Sequence, residues 1–247
     1  MLAKLLLTVF VVTAVSANAQ EPDSYVQLSK ETRAALQELD FDKAADLAER
    51  LAKLAPNDDY RLRAADALLR SGRAERAVEL FDQFAAKHPG QKPYLWQRGI
   101  ALYFVGRYAD GAEQFEVHRG VNPNDVENAA WHYLCVAKKD SPETADKLLL
   151  PAPGDPREPM EQVLEMFRNR DPERVADRLK QLRQDGEASD SATFYGELYL
   201  GLYADALSER SQALRHMKRS VQHAPRNYMG DVARVYLRHL SEPQSPK

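Results

Sequence analysis

Three residues of this chain have side chains and spacing that could support metal or nucleophile chemistry: His118, His132 and Cys135. His132 and Cys135 are three apart within WHYLCVA, so on a helix they share one face. His118 lies one segment earlier. Structural zinc is held by four ligands in recognisable pairs, and neither C-x-x-C nor H-E-x-x-H occurs. A cysteine nucleophile needs a base placed by tertiary geometry, which adjacency along one helix does not supply. The G-x-S-x-G elbow is missing as well. The sequence therefore predicts no catalytic residue, no metal and no cofactor. It reads Cys135 as a buried structural thiol. A metal-binding or enzymatic helical protein built on His118, His132 and Cys135 stands as an alternative.

A second stretch raises a different chemistry. WQRGIALYFVGRYADGAEQF, residues 96–115, has glycines at 99, 106 and 111. A phosphate-binding loop needs G-x-x-x-x-G-K-[ST] after a strand. The spacing, the lysine and the strand are all missing here. The glycines instead suit two helices in close approach. Gly99 and Gly111 remove side chains that would hold the axes apart. Gly106 supplies a left-handed helix stop between them.

The elements that carry these residues repeat. Shifting residues 58–91 by 34 places Ala67 on Ala101, Leu68 on Leu102 and Gly72 on Gly106. It also places Arg73 on Arg107, Phe81 on Phe115 and Pro89 on Pro123. An earlier unit matches at 33, with Ala44 on Ala77 and Pro56 on Pro89. Each unit contains two segments with apolar residues at helical spacing. Asp125 is a suitable N-cap for VENAAWHYLCVAKK, and Ser141-Pro142-Glu143 and Asp171-Pro172-Glu173 begin later helices in the same way. Alternating strand segments are not found. The pattern predicts an all-α fold of about a dozen helices.

This pattern resembles the tetratricopeptide repeat, a helix-turn-helix unit of about 34 residues. The small residue of the first helix falls at Ala65, Gly99 and Gly201, and that of the second at Ala77, Gly111 and Ala213. The large apolar residue falls at Phe81, Phe115 and Met217, and the closing proline at Pro89, Pro123 and Pro225. The resemblance implies helical hairpins stacked as a right-handed superhelix, with the first helix of each hairpin on a concave face. On that face it places Leu62, Arg63, Asp66, Leu69 and Arg70, then Trp96, Gln97, Ile100, Tyr103 and Phe104. Glu127, Trp131, Leu134, Tyr195, Tyr199 and Leu202 continue it. Arg63, Arg70, Arg73 and Arg107 could form a basic mouth for an acidic tail or carboxylate. Trp, Tyr and Arg are the side chains that most often carry interface energy. In a tightly wound superhelix the same aromatics serve equally as core.

The segments RGIALY (98–103), PND (123–125) and WHYL (131–134) are also similar to NlpI-type tetratricopeptide lipoproteins of the bacterial envelope. That likeness implies an envelope adaptor. It does not extend to a lipid anchor, because the lipidated cysteine is absent and Cys135 is the one cysteine of the chain.

The rest of the chain sets bounds. Lys4, the apolar run Leu5 to Val15 and Ala17-Asn18-Ala19 read as a signal peptide, residues 1–19, with export to the periplasm or cell exterior. No stable membrane anchor is expected after cleavage. The net charge of -3 argues against nucleic acid. Expected domains are an N-terminal array, residues 20–150, a proline-rich connector, 151–159, a C-terminal helical array, 160–240, and a flexible tail, 241–247. The functional expectation is a non-enzymatic scaffold that docks a protein or peptide partner in the groove. Self-assembly into a homo-oligomer through the aromatic face is the other binding alternative.

Overall fold

A computed structural model of the chain describes residues 22–241. The expected signal peptide, and all but Ser241 of the expected tail, lie outside the described residues. Among the described residues the fold is all-α, with thirteen α-helices, one 3-10 helix and no strand. In chain order these are α1 (Pro22–Glu38), α2 (Phe41–Leu54), α3 (Asp58–Arg70) and α4 (Ala74–Lys87). A 3-10 turn (Pro89–Tyr94) leads to α5 (Trp96–Phe104), α6 (Tyr108–Arg119) and α7 (Val126–Lys139). Then come α8 (Pro142–Lys147), α9 (Met160–Asn169) and α10 (Glu173–Gln184). The last are α11 (Asp190–Ala206), α12 (Arg210–Gln222) and α13 (Tyr228–Ser241).

Several helix starts carry a side-chain cap. Asp40, Asn57, Asp125, Ser141 and Ser189 each accept a hydrogen bond from a backbone N–H of the first turn, satisfying a donor the helix cannot. Asp171 departs from the expected grammar. Its carboxylate lies 3.3 Å from the Arg174 guanidinium, and α10 begins at Pro172-Glu173 without a side-chain cap.

Several helix stops share one geometry. The N–H of Arg73 donates to the Leu68 carbonyl, and that of Arg107 to the Leu102 carbonyl, across Gly72 and Gly106. Those glycines have φ of +89° and +75°, the left-handed region that such a stop requires. The same bond recurs from Asp40 to Ala35, Asp171 to Met166 and Glu209 to Ala204. There the left-handed residue is Leu39, Arg170 or Ser208.

Successive helices pack as neighbouring pairs. Across pairs, α3 touches α5, α5 touches α7, and α7 touches α9 and α11, so these helices share an inner side. Close approach explains the glycines. A Cβ on Gly99 would lie 2.5 Å from the Phe115 ring, inside the α5–α6 hairpin. A Cβ on Gly111 would lie 2.8 Å from Cys135 Sγ on α7 and 3.5 Å from the Gly99 carbonyl oxygen on α5, so that glycine admits α7 as well as its own hairpin partner. One apolar core runs from Tyr25 to Leu240 through every α-helix.

The loop between α8 and α9 contains the proline-rich segment. It is fastened to α7, where Asp155 accepts the Val126 N–H at 3.2 Å and the Arg157 guanidinium bonds Asp125 at 3.0 Å. The last helix turns back. α13 packs on α12 and also on α3, laying the end of the chain across the inner side of its beginning.

Candidate functional site

The return of α13 decides what the inner face presents. Arg70 on α3 donates to the buried Asp231 carboxylate on α13 at 2.7 and 3.0 Å. Tyr236 on α13 reaches further along the face. Its hydroxyl meets that of Tyr103 on α5 at 3.0 Å and donates to Asp205 on α11 at 2.7 Å. Lys138 on α7 completes the network, 3.0 Å from the same carboxylate. Burial raises the hydroxyls of Tyr103 and Tyr236 well above the ordinary phenol range, so both remain protonated donors.

Several expected groove residues are therefore core. Tyr103 is 4% exposed, Trp131 is 1% and Tyr199 is 0%. The indole of Trp131 packs edge-on against Tyr103 and Tyr236. Tyr199 donates to the Glu127 carboxylate at 2.9 Å. Tyr103 and Trp131, expected on an open groove, instead lie against Tyr236 of the chain's own last helix, and Tyr199 is buried beside Glu127. Burying these rings removes far more apolar area from water than exposing them for a partner would leave.

The arginines do not form one mouth. Arg70 is committed to Asp231, and Arg107 pairs with Asp82 and Asp110 on the outside. Arg73 lies beside Arg238 and His239 around a separate hollow. Arg63 stays exposed, its guanidinium 5.2 Å from the centre of the Tyr60 ring. Tyr195 is half-buried, with the Arg157 guanidinium 5.5 Å over its ring.

His118, His132 and Cys135 go separate ways. His118 Nδ1–H donates to the Pro93 carbonyl at 2.8 Å. His132 Nε2 lies 3.2 Å from Glu116, and burial lowers the pKa of the ring. Cys135 is fully buried against Gly111, and burial lifts its thiol far above the ordinary range. No group of three or more metal-capable side chains occurs among the described residues. The basic run at 215–219 is anchored by the buried Glu197, which bonds His216 at 2.7 Å and Arg219 at 3.1 Å.

What stays open is a cleft of about 620 Å³ between α3, α4, the 3-10 turn, α5 and the first residue of α13. Leu62, Arg63 and Asp66 form one wall and Phe81 and Phe84 the floor. His88, Gln91 and Tyr94 from the turn form the rim, with Gln97 and Tyr228 opposite. The turn exists because Pro89, Gly90 and Pro93 break the helical pattern after α4. It projects Tyr94, which is 57% exposed and so available at the rim. Trp96 sits behind, its ring 4.8 Å from that of Tyr228 and edge-on to it. Near the cleft entrance Asp58 accepts Lys87 at 3.0 Å and faces His88 Nε2 at 3.2 Å, which holds its carboxyl below the usual range. Deeper in, burial pushes the Asp66 carboxyl up to about 6, against the opposing pull of Arg70.

No protein-family model matches this chain, and no curated protein matches it.

The cleft retains Leu62, Arg63, Asp66 and Gln97 from the residues expected on the inner face and adds Tyr94, His88 and Tyr228. Tyr94 falls in a proline-broken segment, where no helical periodicity marks it. Tyr228 begins a helix whose return to α3 is a tertiary event. The cleft brings together a cation, a carboxyl, an amide and exposed aromatic surface. Such a set offers both apolar packing and hydrogen bonds to a ligand.

Proposed function

We propose that this chain is a tetratricopeptide-type scaffold that docks a peptide segment of a protein partner in the cleft between α3 and α5. The hairpins are read as a right-handed superhelix, with α13 occupying the middle of its concave side. The observation that carries the reading is the cleft itself, built from the inner positions of two successive first helices. Leu62, Arg63, Asp66 and Gln97 line it together, though 35 residues separate the first from the last. A preformed concave surface on stacked hairpins lets an extended segment bind without reorganising the scaffold. The mixed lining favours a segment that carries both apolar and charged side chains, with Tyr94 and the Phe81–Phe84 floor taking the apolar part.

Residues 1–19 place the scaffold in the cell envelope by the same reading, as an exported, non-enzymatic adaptor. Cleavage after Ala19 shortens the 247-residue chain to 228. Intact mass of the protein recovered from a periplasmic extract tests that part. The loss of 19 residues is expected, and a full-length mass contradicts export with cleavage. Binding is tested with the Arg63→Glu, Gln97→Ala double variant in affinity capture from the same extract. A partner held by the parent and lost by the variant supports the cleft, and equal capture by both moves the site elsewhere.

A further inference from the structure

A separate hollow of about 190 Å³ lies between the turn that joins α3 to α4, the end of α5 and the last two turns of α13. It shares no lining residue with the cleft. Arg73, Glu75, Arg238 and His239 form its polar walls, and Phe104 and Val235 its apolar ones.

Arg73 marks a place where the repeat departs from itself. Its counterpart one unit on, Arg107, is neutralised by Asp82 and by Asp110, three residues further along. Three residues after Arg73 stands another cation, Arg76. At the 33-residue spacing of the preceding unit the counterpart of Asp82 is Glu49, and Arg76 already takes it, 3.4 Å away. Among the described residues Arg73 is left exposed, with no ion pair and no side-chain hydrogen bond.

The return of α13 brings two more basic groups to this arginine. Arg238 reaches Asp42 at 3.6 Å, a carboxylate 85% exposed, so that pair is a weak surface contact. The His239 ring is held edge-on by Phe104 and Tyr236. Neither of its nitrogens has a hydrogen-bond partner among the described residues. Glu75 is the one acid lining the hollow. One carboxylate against two guanidiniums leaves an excess of positive charge, with or without a proton on His239.

We infer that this hollow binds a phosphoryl group, held by the guanidiniums of Arg73 and Arg238 and by an imidazole N–H of His239. The two guanidiniums come from different elements, and each presents a planar fork of N–H donors. A phosphoryl group offers three oxygens in different directions to receive such forks, where a carboxylate offers two in one plane. A phosphate monoester also carries about −1.5 to −2 charge at neutral pH, which matches the excess. Phe104 and Val235 supply apolar surface for the carbon beyond the ester oxygen. Two sources supply that chemistry: a soluble phosphate ester, or the headgroup of a phospholipid. The inference stands on this hollow and does not depend on the scaffold reading.

Inorganic phosphate added to the full mature chain is expected to move the Nε–H signals of Arg73 and Arg238 together and saturably in ¹⁵N spectra. The variants Arg73→Gln and Arg238→Gln assign those signals. Acetate and chloride, at matched ionic strength, should need at least about ten times the concentration. Followed at the remaining arginine, each variant should weaken phosphate at least about tenfold, the worth of one charge-assisted hydrogen bond. Arg119→Gln, which removes an exposed arginine of α6 outside the hollow, should leave phosphate binding unchanged. Vesicles of equal parts phosphatidic acid and phosphatidylcholine that retain the parent chain and release Arg73→Gln assign the group to a lipid headgroup. Glycerol phosphate bound by a chain that those vesicles do not retain assigns it to a soluble ester. Arginine signals unmoved by phosphate, or moved equally by acetate, overturn the inference and leave a solvated surface. Equal weakening by Arg119→Gln overturns it as well. If a variant does not fold, the anion series on the parent chain still decides.

Discussion

Asp66 lies at the wall of the cleft, faced by Arg70 on its own helix and by Tyr228 and Asp231 from α13. Its folded-state value of about 6 stands above the ordinary 3.8. The folded protein therefore holds this proton more tightly than the unfolded chain does. The stabilisation is complete below the unfolded value and is lost as pH rises through about 6. Asp66→Asn should accordingly raise the melting temperature at pH 8, by on the order of 1 kcal/mol in stability, and the advantage should vanish at pH 4. Thermal melts followed by circular dichroism check this, and an equal advantage at both pH values would refute it. Gly99 makes the opposite case, a residue fixed by space. Alanine there drives a methyl group into the Phe115 ring and should cost about 1–3 kcal/mol. A denaturant midpoint unchanged in Gly99→Ala would show that the α5–α6 contact yields more easily than its geometry implies. The need for a small residue at 99 and 111 and the burial of Cys135 were legible in the sequence. That Gly111 also admits α7 was not, because Cys135 arrives from the next hairpin. The burial of Tyr103 and Trp131 was equally hidden, since both pack against Tyr236, far along the chain.

At the scale of helices, the repeat spacing predicts where hairpins turn, and capping residues predict where several helices begin. Asp125 and Ser141 act as their sequence context indicates. Asp171 does not, because an arginine one turn later competes for its carboxylate. The turns also hold conformations that composition conceals. Ser208 has φ of +63° at the end of α11 and is exposed, in the position that glycine fills at 72 and 106. Ser208→Gly should stabilise the protein by about 0.5–1 kcal/mol by relieving the left-handed penalty. A loss of stability instead would mean that the serine side chain compensates. The docking of α13 rests on a polar contact that is open to test. Arg70→Ala leaves Asp231 buried with Arg234, 3.7 Å away, and Arg226 as counter-charges. A cost of about 2–3 kcal/mol is expected, below the full penalty for an orphaned buried charge. Amide exchange should rise selectively in α13. Uniform exchange across the helices would show that this pair does not hold α13 in particular.

For the whole molecule, the all-helical character follows from periodicity and the absence of alternating segments, and the sequence carries it openly. Continuity between the two halves is a different matter. The proline-rich segment reads as a connector between arrays, yet Arg157 and Asp155 fasten it to the start of α7. The core also passes from one half to the other, through α7 against α9 and α11 and through α13 against α3. Residues 20–150 and 160–240 should therefore unfold together in one calorimetric transition, and two separated transitions would contradict that continuity. Beside the returning α13, a cleft stays open at Arg63, Tyr94 and Gln97. Site-specific photo-cross-linking in cells tests this most directly, with the reactive group placed in turn at Tyr94, at Gln97 and at the exposed outer positions Glu79 and Glu116. One discrete cross-linked protein is expected from Tyr94 and Gln97 and none from the outer pair. Capture from Glu79 and Glu116 with none from the cleft would contradict it.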